Sequence, residues 1–405
     1  MTKHHGLAPS DGPSRPRAWI VCPHFGAPSE PWIWRQVVRF GSIAPTVVTS
    51  EWVDQTTYPL APVRVVVDPR VVLDDTGWTR WPKRLRKARR GNFAALEPKA
   101  LRALVEVAGR IGPPDILLCH FGHTAVRFLP LAEELGIPIV AHFHGLDLSS
   151  SLGNRWYRWS LECALPQLAA MVVVGAHQGE MLRSLGAETS RIHHIPCGVP
   201  VDEYPLRAGP SRPSSTHFTA VSRLVPWKGV DVTLRAFATV VRAGIDAELT
   251  VLGDGPQRQE LETLADTLGV RSRVAFLGWC PPSQVQSSLA ATDVFLQHSR
   301  RYRGWVEGFG VSIVEAAASG IPVVVSDCGG IAEHVADGVT GFVVEQEDVD
   351  GMADRMRRLA EDPRLRDSMG RVARRRTVEN FDTAAQVARL EHVLLEVVDG
   401  AGTGT

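Results

Sequence analysis

The sequence lacks any C-x-x-C pair: its six cysteines, Cys22, Cys119, Cys163, Cys197, Cys280 and Cys328, are scattered along 405 residues. That spacing supports neither a zinc ribbon nor a disulfide framework, so a reduced, cytoplasmic protein is expected. No run approaches 18 apolar residues, and the longest candidate, around 163–176, contains Pro166. A bilayer-spanning helix is therefore not expected. Residues 1–17 have no apolar stretch and are expected to form a disordered lead-in, not a signal peptide or an anchor. Net charge is missing as well, since 44 Lys+Arg balance 44 Asp+Glu. Neutrality excludes a protein that coats nucleic acid, because neutralising phosphates needs a net basic face. No short repeat is visible, which excludes a solenoid. No G-x-G-x-x-G is present after a strand: Gly253 and Gly255 lack a third glycine, which argues against a dinucleotide-dependent dehydrogenase.

What is present is an alternation of short apolar runs with amphipathic stretches. Strands are expected at 18–22, 45–49, 63–68, 115–120, 138–144 and 171–175, and then at 217–223, 248–253, 273–278, 293–297 and 322–327. Helices lie between them, for example at 229–242 and 307–319. The runs are continuously apolar, the pattern of strands covered on both faces. The fold class expected is α/β, with two Rossmann-like, doubly wound parallel-sheet domains. Residues 18–199 would form the first and 216–381 the second, joined by a Pro-, Ser- and Gly-rich linker at 200–215. Residues 382–399 carry Val387, Leu390, Val393, Leu394 and Val397 on one helical stripe.

In such sheets ligands bind beyond the carboxyl ends of the strands, so the residues that follow each strand are the candidates. The first strand leads to a turn at Gly26 and then to the start of a helix, whose free N–H groups suit an anion. Later strand ends carry His120-Phe-Gly-His123 and Ala141-His-Phe-His-Gly-Leu-Asp147. His142 and His144 are read as facing opposite sides of their strand, so no shared metal is expected and hydrogen bonding in a cleft is favoured.

In the second half Arg223 and Lys228 stand five residues apart on a strand-to-helix loop and can converge on a diphosphate. Lys228 at a helix start conflicts with the helix dipole, a conflict that an anionic ligand would remove. Glu307 and Glu315 flank Gly308 and Gly310, which let a backbone approach a ligand. Read as one helix, the span separates the carboxylates by about 12 Å. They would then serve different ends of an extended ligand and be too far apart to act as acid and base at one bond.

Two basic stretches stand apart. Residues 80–90 hold seven Lys and Arg and no acid, with Trp81, Leu85 and Ala88 on one helical stripe. Such a segment suits an anionic membrane surface, or a phosphate on a lipid-linked acceptor. Residues 1–205 hold 22 basic and 18 acidic residues, so this one segment accounts for their basic excess. The loop 300–303, Arg-Arg-Tyr-Arg, is a second candidate for an anionic group.

Taken together, S-R-L-V-P-W-K-G at 222–229, the E-x7-E of Glu307 and Glu315, and S-G-I-P-V-V-V-S-D-C-G-G at 319–330 resemble the family 4 retaining glycosyltransferases of the GT-B fold. S-E-P-W-I-W-R-Q at 29–36, H-F-G and H-G-L-D extend the resemblance over residues 18–398. The resemblance implies a nucleotide sugar, UDP- or GDP-linked, as co-substrate and two domains facing a cleft. It implies that Arg223 and Lys228 hold the diphosphate and Glu315 the ribose. Glu307, with the N–H groups of Gly308, Phe309, Gly310 and Val311, would orient the sugar. His144 would touch the sugar from the other lobe, Gly26 would border the diphosphate and the acceptor path, and the base would rest near Gly278 and Trp279. The last helix would cross back to the N-terminal lobe.

No DxD-like motif stands at a matching place, so neither a metal nor another cofactor is expected. The acceptor would be a sugar-, lipid-linked or small-molecule hydroxyl. H-F-G with H-G-L-D resembles the branch that assembles exopolysaccharide and glycolipid; relatives that glycosylate soluble aminocyclitols, and a sugar-nucleotide epimerase of the same fold, are the alternatives. A non-catalytic binding protein is opposed by the set Arg223, Lys228, Glu307 and Glu315. Alanine at Arg223 or Glu315 is expected to abolish transfer and leave the fold intact.

Overall fold

The computed structural model describes residues 15–67, 95–207 and 215–402. The basic segment 80–90, most of the expected lead-in and the middle of the expected linker lie outside them. The first sheet contains β1 (Arg17–Phe25), β2 (Ala44–Trp52), β3 (Arg64–Val67), β4 (Ile116–His120), β5 (Ile139–Phe143), β6 (Ala170–Val173) and β7 (Ile192–His194). The second contains β8 (Thr216–Val221), β9 (Ala247–Leu252), β10 (Val274–Gly278), β11 (Val294–Gln297), β12 (Val323–Ser326) and β13 (Gly341–Val344). Their orders are β3-β2-β1-β4-β5-β6-β7 and β10-β9-β8-β11-β12-β13, and every pairing is parallel. β7 and β13 escaped the sequence reading. Both are short edge strands, and β7 (Ile-His-His) is mostly polar.

Alternation within the apolar runs explains why both faces are covered. In β1, Trp19 and Val21 join one core cluster while Ala18, Ile20 and Cys22 join the other. In β11, Val294 and Leu296 face one cluster and Phe295 the opposite one. Successive side chains leave a strand on opposite faces, so a strand buried between two helical layers must be apolar throughout.

The chain passes between the lobes at two adjacent places. Val199 N–H donates to Phe381 O at 2.8 Å, and Thr383 N–H donates to Val199 O at 3.1 Å. The residues leading out of the first lobe are well anchored. Tyr204 is buried, and Arg207 pairs with Asp293 at 2.6 Å and with Asp367 at 3.0 Å.

The last helix (Thr383–Gly402) packs on the N-terminal lobe, where Leu390, Val393 and Leu394 meet Val37, Ile43 and Leu60. Each such side chain contributes about 1.5–3 kcal/mol on full burial. Glu391 fixes the register: one of its oxygens accepts N–H bonds from Gly41, Ser42 and Ile43 at 2.8, 2.6 and 3.0 Å. Glu391→Ala strands three donors, and a loss of about 3 kcal/mol in unfolding free energy is expected, measurable by urea denaturation. Among the described residues no helix is long and apolar enough to cross a membrane.

Candidate functional site

Each sheet reverses its strand order once, between β1 and β4 and between β8 and β11. A crevice forms at such a switch point, beyond the carboxyl ends of the diverging strands. The candidate residues gather at these two places. Gly26 and Glu30 follow β1, and His120 ends β4; Arg223 and Lys228 follow β8, and Ser299 and Glu307 follow β11.

Lys228 does not start the helix after β8. It closes a short 3-10 turn (Pro226–Lys228), and the helix begins at Val230. The expected conflict with the helix dipole is resolved by a carboxylate: the Lys228 ammonium pairs with Glu307 Oε2. The same oxygen accepts from Ser299 Oγ at 3.0 Å and Gln297 Nε2 at 3.3 Å, and Ser312 Oγ in turn donates to Gln297 Oε1 at 2.9 Å. Among the described residues nothing bonds Glu307 Oε1. Arg223 is exposed, with its guanidinium 5.8 Å from the Trp227 ring centre, and Lys228 Nζ lies 5.5 Å from that of Trp305.

Glu307 and Glu315 do not share a helix either. The helix runs Val311–Ala318, so only Glu315 lies on it and Glu307 sits in the loop before it. Gly310, at φ +82°, turns the chain into the helix in a conformation that side chains disfavour. Gly308 packs onto the other lobe, and a Cβ there would collide with the carbonyl of His144. The loop is therefore the seam between the lobes, and it aims the first free N–H groups of a helix at that seam.

The histidines also require a correction. Residues two apart on a strand share a face, so His142 and His144 lie together and not on opposite sides. Their ring centres are 4.3 Å apart, and His120, paired with His142 in the β4–β5 ladder, completes a triangle with sides of 5.3 and 5.2 Å. His120 Nδ1 lies 2.9 Å from His144 Nε2. Burial holds His120 near about 3 and, with help from its neighbours' charge, holds His142 and His144 well below the usual imidazole range. All three rings are neutral at physiological pH. Asp147 braces the cluster, accepting from Gly122 N–H at 2.8 Å, Gly145 N–H at 2.9 Å and His144 N–H at 3.2 Å.

Three cross-lobe features were not assigned from the sequence, although Glu30 and Arg35 lie in the stretch 29–36 that it singled out. Arg35, on the helix Pro31–Val37, pairs with Glu315 at 2.8 Å and donates to the Tyr204 hydroxyl at 3.2 Å, with both charged side chains buried. Glu315 is thus already held by the opposite lobe. Glu333 caps the helix Ala176–Ser184, accepting from Ala176 N–H at 2.8 Å and His177 N–H at 3.2 Å and lying 3.1 Å from His177 Nδ1. Burial alone would raise the Glu333 carboxyl, but these hydrogen bonds outweigh it and hold the group at about 2. Burial pushes Glu30 up to about 7, against the pull of Arg223.

The remaining candidates are more scattered. Gly26 packs against Asp54, Trp52 and Tyr58 of its own lobe. Gly278 ends β10, two strands or about 10 Å from β8. Trp279 beside it is 52% exposed and offers an aromatic face. Arg300 is taken up by Asp231 at 3.0 Å and Glu347 at 3.0 Å, so it braces its loop; Arg301 and Arg303 stay exposed.

Two family models and several known proteins match the chain. Residues 43–203 match the family described as Glycosyltransferase Family 4, and residues 208–376 match Glycosyl transferases group 1. A GDP-mannose-dependent alpha-(1-6)-phosphatidylinositol monomannoside mannosyltransferase of Mycolicibacterium smegmatis is 32% identical over 70% of this chain and 78% of its own. An alpha-D-kanosaminyltransferase of Streptomyces kanamyceticus is 26% identical over 68% of this chain and 75% of its own. Among solved structures, Anabaena HepE in complex with UDP and glucose superposes with a TM-score of 0.74, at 19% identity, over 94% of this chain and 100% of its own.

Proposed function

Because the chain belongs to the family 4, group 1 glycosyltransferases, and so transfers sugar from a nucleotide-sugar donor, we propose that it moves a hexose from a UDP- or GDP-linked donor to a hydroxyl of a glycolipid or polysaccharide acceptor, with retention of anomeric configuration. The observation that carries this reading is the Lys228–Glu307 pair at the mouth of the glycine loop, pressed against His144. It gathers a cation for a phosphate, a carboxylate oxygen for a sugar hydroxyl and a row of N–H groups in one seam.

In this mechanism the donor diphosphate lies between Arg223, Lys228 and the start of the helix Val311–Ala318. Charge grows on the leaving phosphate as the anomeric C–O bond breaks, and these positive groups stabilise it there. Glu307 Oε1 receives a sugar hydroxyl, while His144 contacts the sugar from the opposite lobe. The acceptor oxygen attacks from the face the phosphate leaves, and the departing phosphate oxygen takes its proton. Glu315 accepts from the ribose, and the base lies toward Gly278 and Trp279. Charge neutralisation at the diphosphate is assigned to the protein's cations, so the reading calls for no metal there.

The mannosyltransferase named above supports a glycolipid acceptor, and the kanosaminyltransferase supports natural-product glycosylation as the second reading. The seven basic residues of 80–90 favour the first, through an anionic acceptor or a peripheral contact with anionic membrane. On that reading the protein sediments with anionic liposomes at low salt and is released at high salt; failure to sediment at either would remove the membrane contact.

The donor is tested by a thermal-shift screen of nucleotide sugars. The matching donor at 100 times its dissociation constant should stabilise the chain by about 2.7 kcal/mol. A screen in which no nucleotide sugar shifts the transition would overturn the donor assignment.

A further inference from the structure

We infer that His120, His142 and His144 form a binding site for one borderline divalent cation of the Zn²⁺ class at the floor of the cleft. One ring nitrogen from each residue lies within 4.8 Å of the others. Two of the three ring-centre separations match such an ion, and the third, between His142 and His144, must widen by about 0.9 Å. With zinc–nitrogen bonds of 2.0–2.1 Å, each ring centre lies about 3.2 Å from the metal, and a tetrahedral angle then separates two centres by about 5.2 Å. The observed separations are 5.2, 5.3 and 4.3 Å. The 2.9 Å between His120 Nδ1 and His144 Nε2 must open by about half an ångström to reach the spacing of two tetrahedral ligands.

The chemistry of the donor set points the same way. His120 and His142 are fully buried, and neither nitrogen of His142 has a partner among the described residues. A buried polar atom without a partner is costly, and a cation converts such atoms into ligands. Three imidazoles without a carboxylate select Zn²⁺, Co²⁺ or Ni²⁺ over Mg²⁺ and Ca²⁺, which require oxygen ligands. The scaffold is rigid, because two ligands occupy one strand end, the third stands beside them in the next strand, and Asp147 ties down both following loops. His144 is only half-buried, which leaves an entry path from the cleft and an open fourth position.

The site holds whether or not the proposed donor is correct. If His144 does contact the donor sugar, the ion removes it from that task, so Zn²⁺ inhibits transfer in competition with the sugar.

The test is a Co²⁺ titration of the full chain, tag-free and stripped with chelator, followed by visible absorption and calorimetry. One Co²⁺ per chain is expected, with the intense visible band of four-coordinate cobalt. His142→Asn should abolish the band, and His120→Asn should weaken binding at least about 10-fold. Should His142→Asn fail to fold, judged by circular dichroism without metal, His120→Asn carries the test alone. A wild-type spectrum no stronger than hexa-aquo cobalt, or equal affinity in the wild type and His120→Asn, overturns the site.

Discussion

Replacing Lys228 by alanine is expected to lower kcat by about 10²–10³-fold, the usual effect of removing one group that stabilises charge in the transition state. Lys228 has two tasks here. In the proposed mechanism its ammonium faces the charge that develops on the departing phosphate, and in the structure it pairs with Glu307, whose Oε2 it shares with Ser299 and Gln297. Glu307→Gln keeps the lysine and tests the pairing, since an amide keeps the shape and loses the charge that holds the ammonium. Its effect should fall mainly on kcat with the sugar donor. The affinity for the nucleoside diphosphate should change little, because Glu307 is assigned to the sugar. Steady-state kinetics with the donor found by the thermal screen separates the two. Equal losses of nucleoside diphosphate affinity in both variants would move Glu307 from the sugar to the diphosphate.

Arg35→Met is the second change with a large expected effect, and it acts on the fold as well as on the site. Arg35 and Glu315 form a buried pair between the lobes, so removing the cation leaves an uncompensated buried carboxylate. Breaking a buried pair from one side typically costs about 3–5 kcal/mol, while replacing both partners by apolar or neutral groups costs far less. Urea denaturation should therefore show a large loss in Arg35→Met and a partial recovery in Arg35→Met with Glu315→Gln. Additive losses in the double variant would show that the pair is not coupled. The same contact revises the sequence-based expectation that Glu315→Ala leaves the fold intact. That change strands Arg35, whose Nη1 already lacks a partner among the described residues. A loss of transfer in Glu315→Ala thus mixes a lost ribose contact with a disturbed seam.

The two sheets were legible because burial on both faces leaves an unmistakable mark, a continuous apolar run such as Trp19–Cys22 without alternation. The edge strand β7 was missed because its three residues, Ile-His-His, carry no such run, and β13, Gly-Phe-Val-Val, was missed although its run is apolar, because only four residues mark it. Arg223, Lys228, Glu307 and Glu315 were legible as loop and helix residues next to glycines. Their partners were not, since a pairing such as Arg35 with Glu315 spans 280 positions and is created only when the lobes meet. The placement of Glu307 failed for a local reason. A periodic reading extends the helix backward through Gly308 and Gly310, whereas the positive φ of Gly310 starts it later. The histidine cluster was misjudged by a period error, because residues two apart on a strand lie on one face.

In the proposed reading the C-terminal crevice holds a nucleoside diphosphate through Arg223 and the glycine-loop helix. Calorimetric titration with UDP and with GDP, on the wild type and on Arg223→Ala, tests it most directly. One of the two nucleotides should bind the wild type, and Arg223→Ala, a change at an exposed side chain, should bind it at least about 10-fold more weakly, the loss of one charge-assisted contact. Equal affinity in the two proteins, or no binding of either nucleotide to the wild type, would contradict the account.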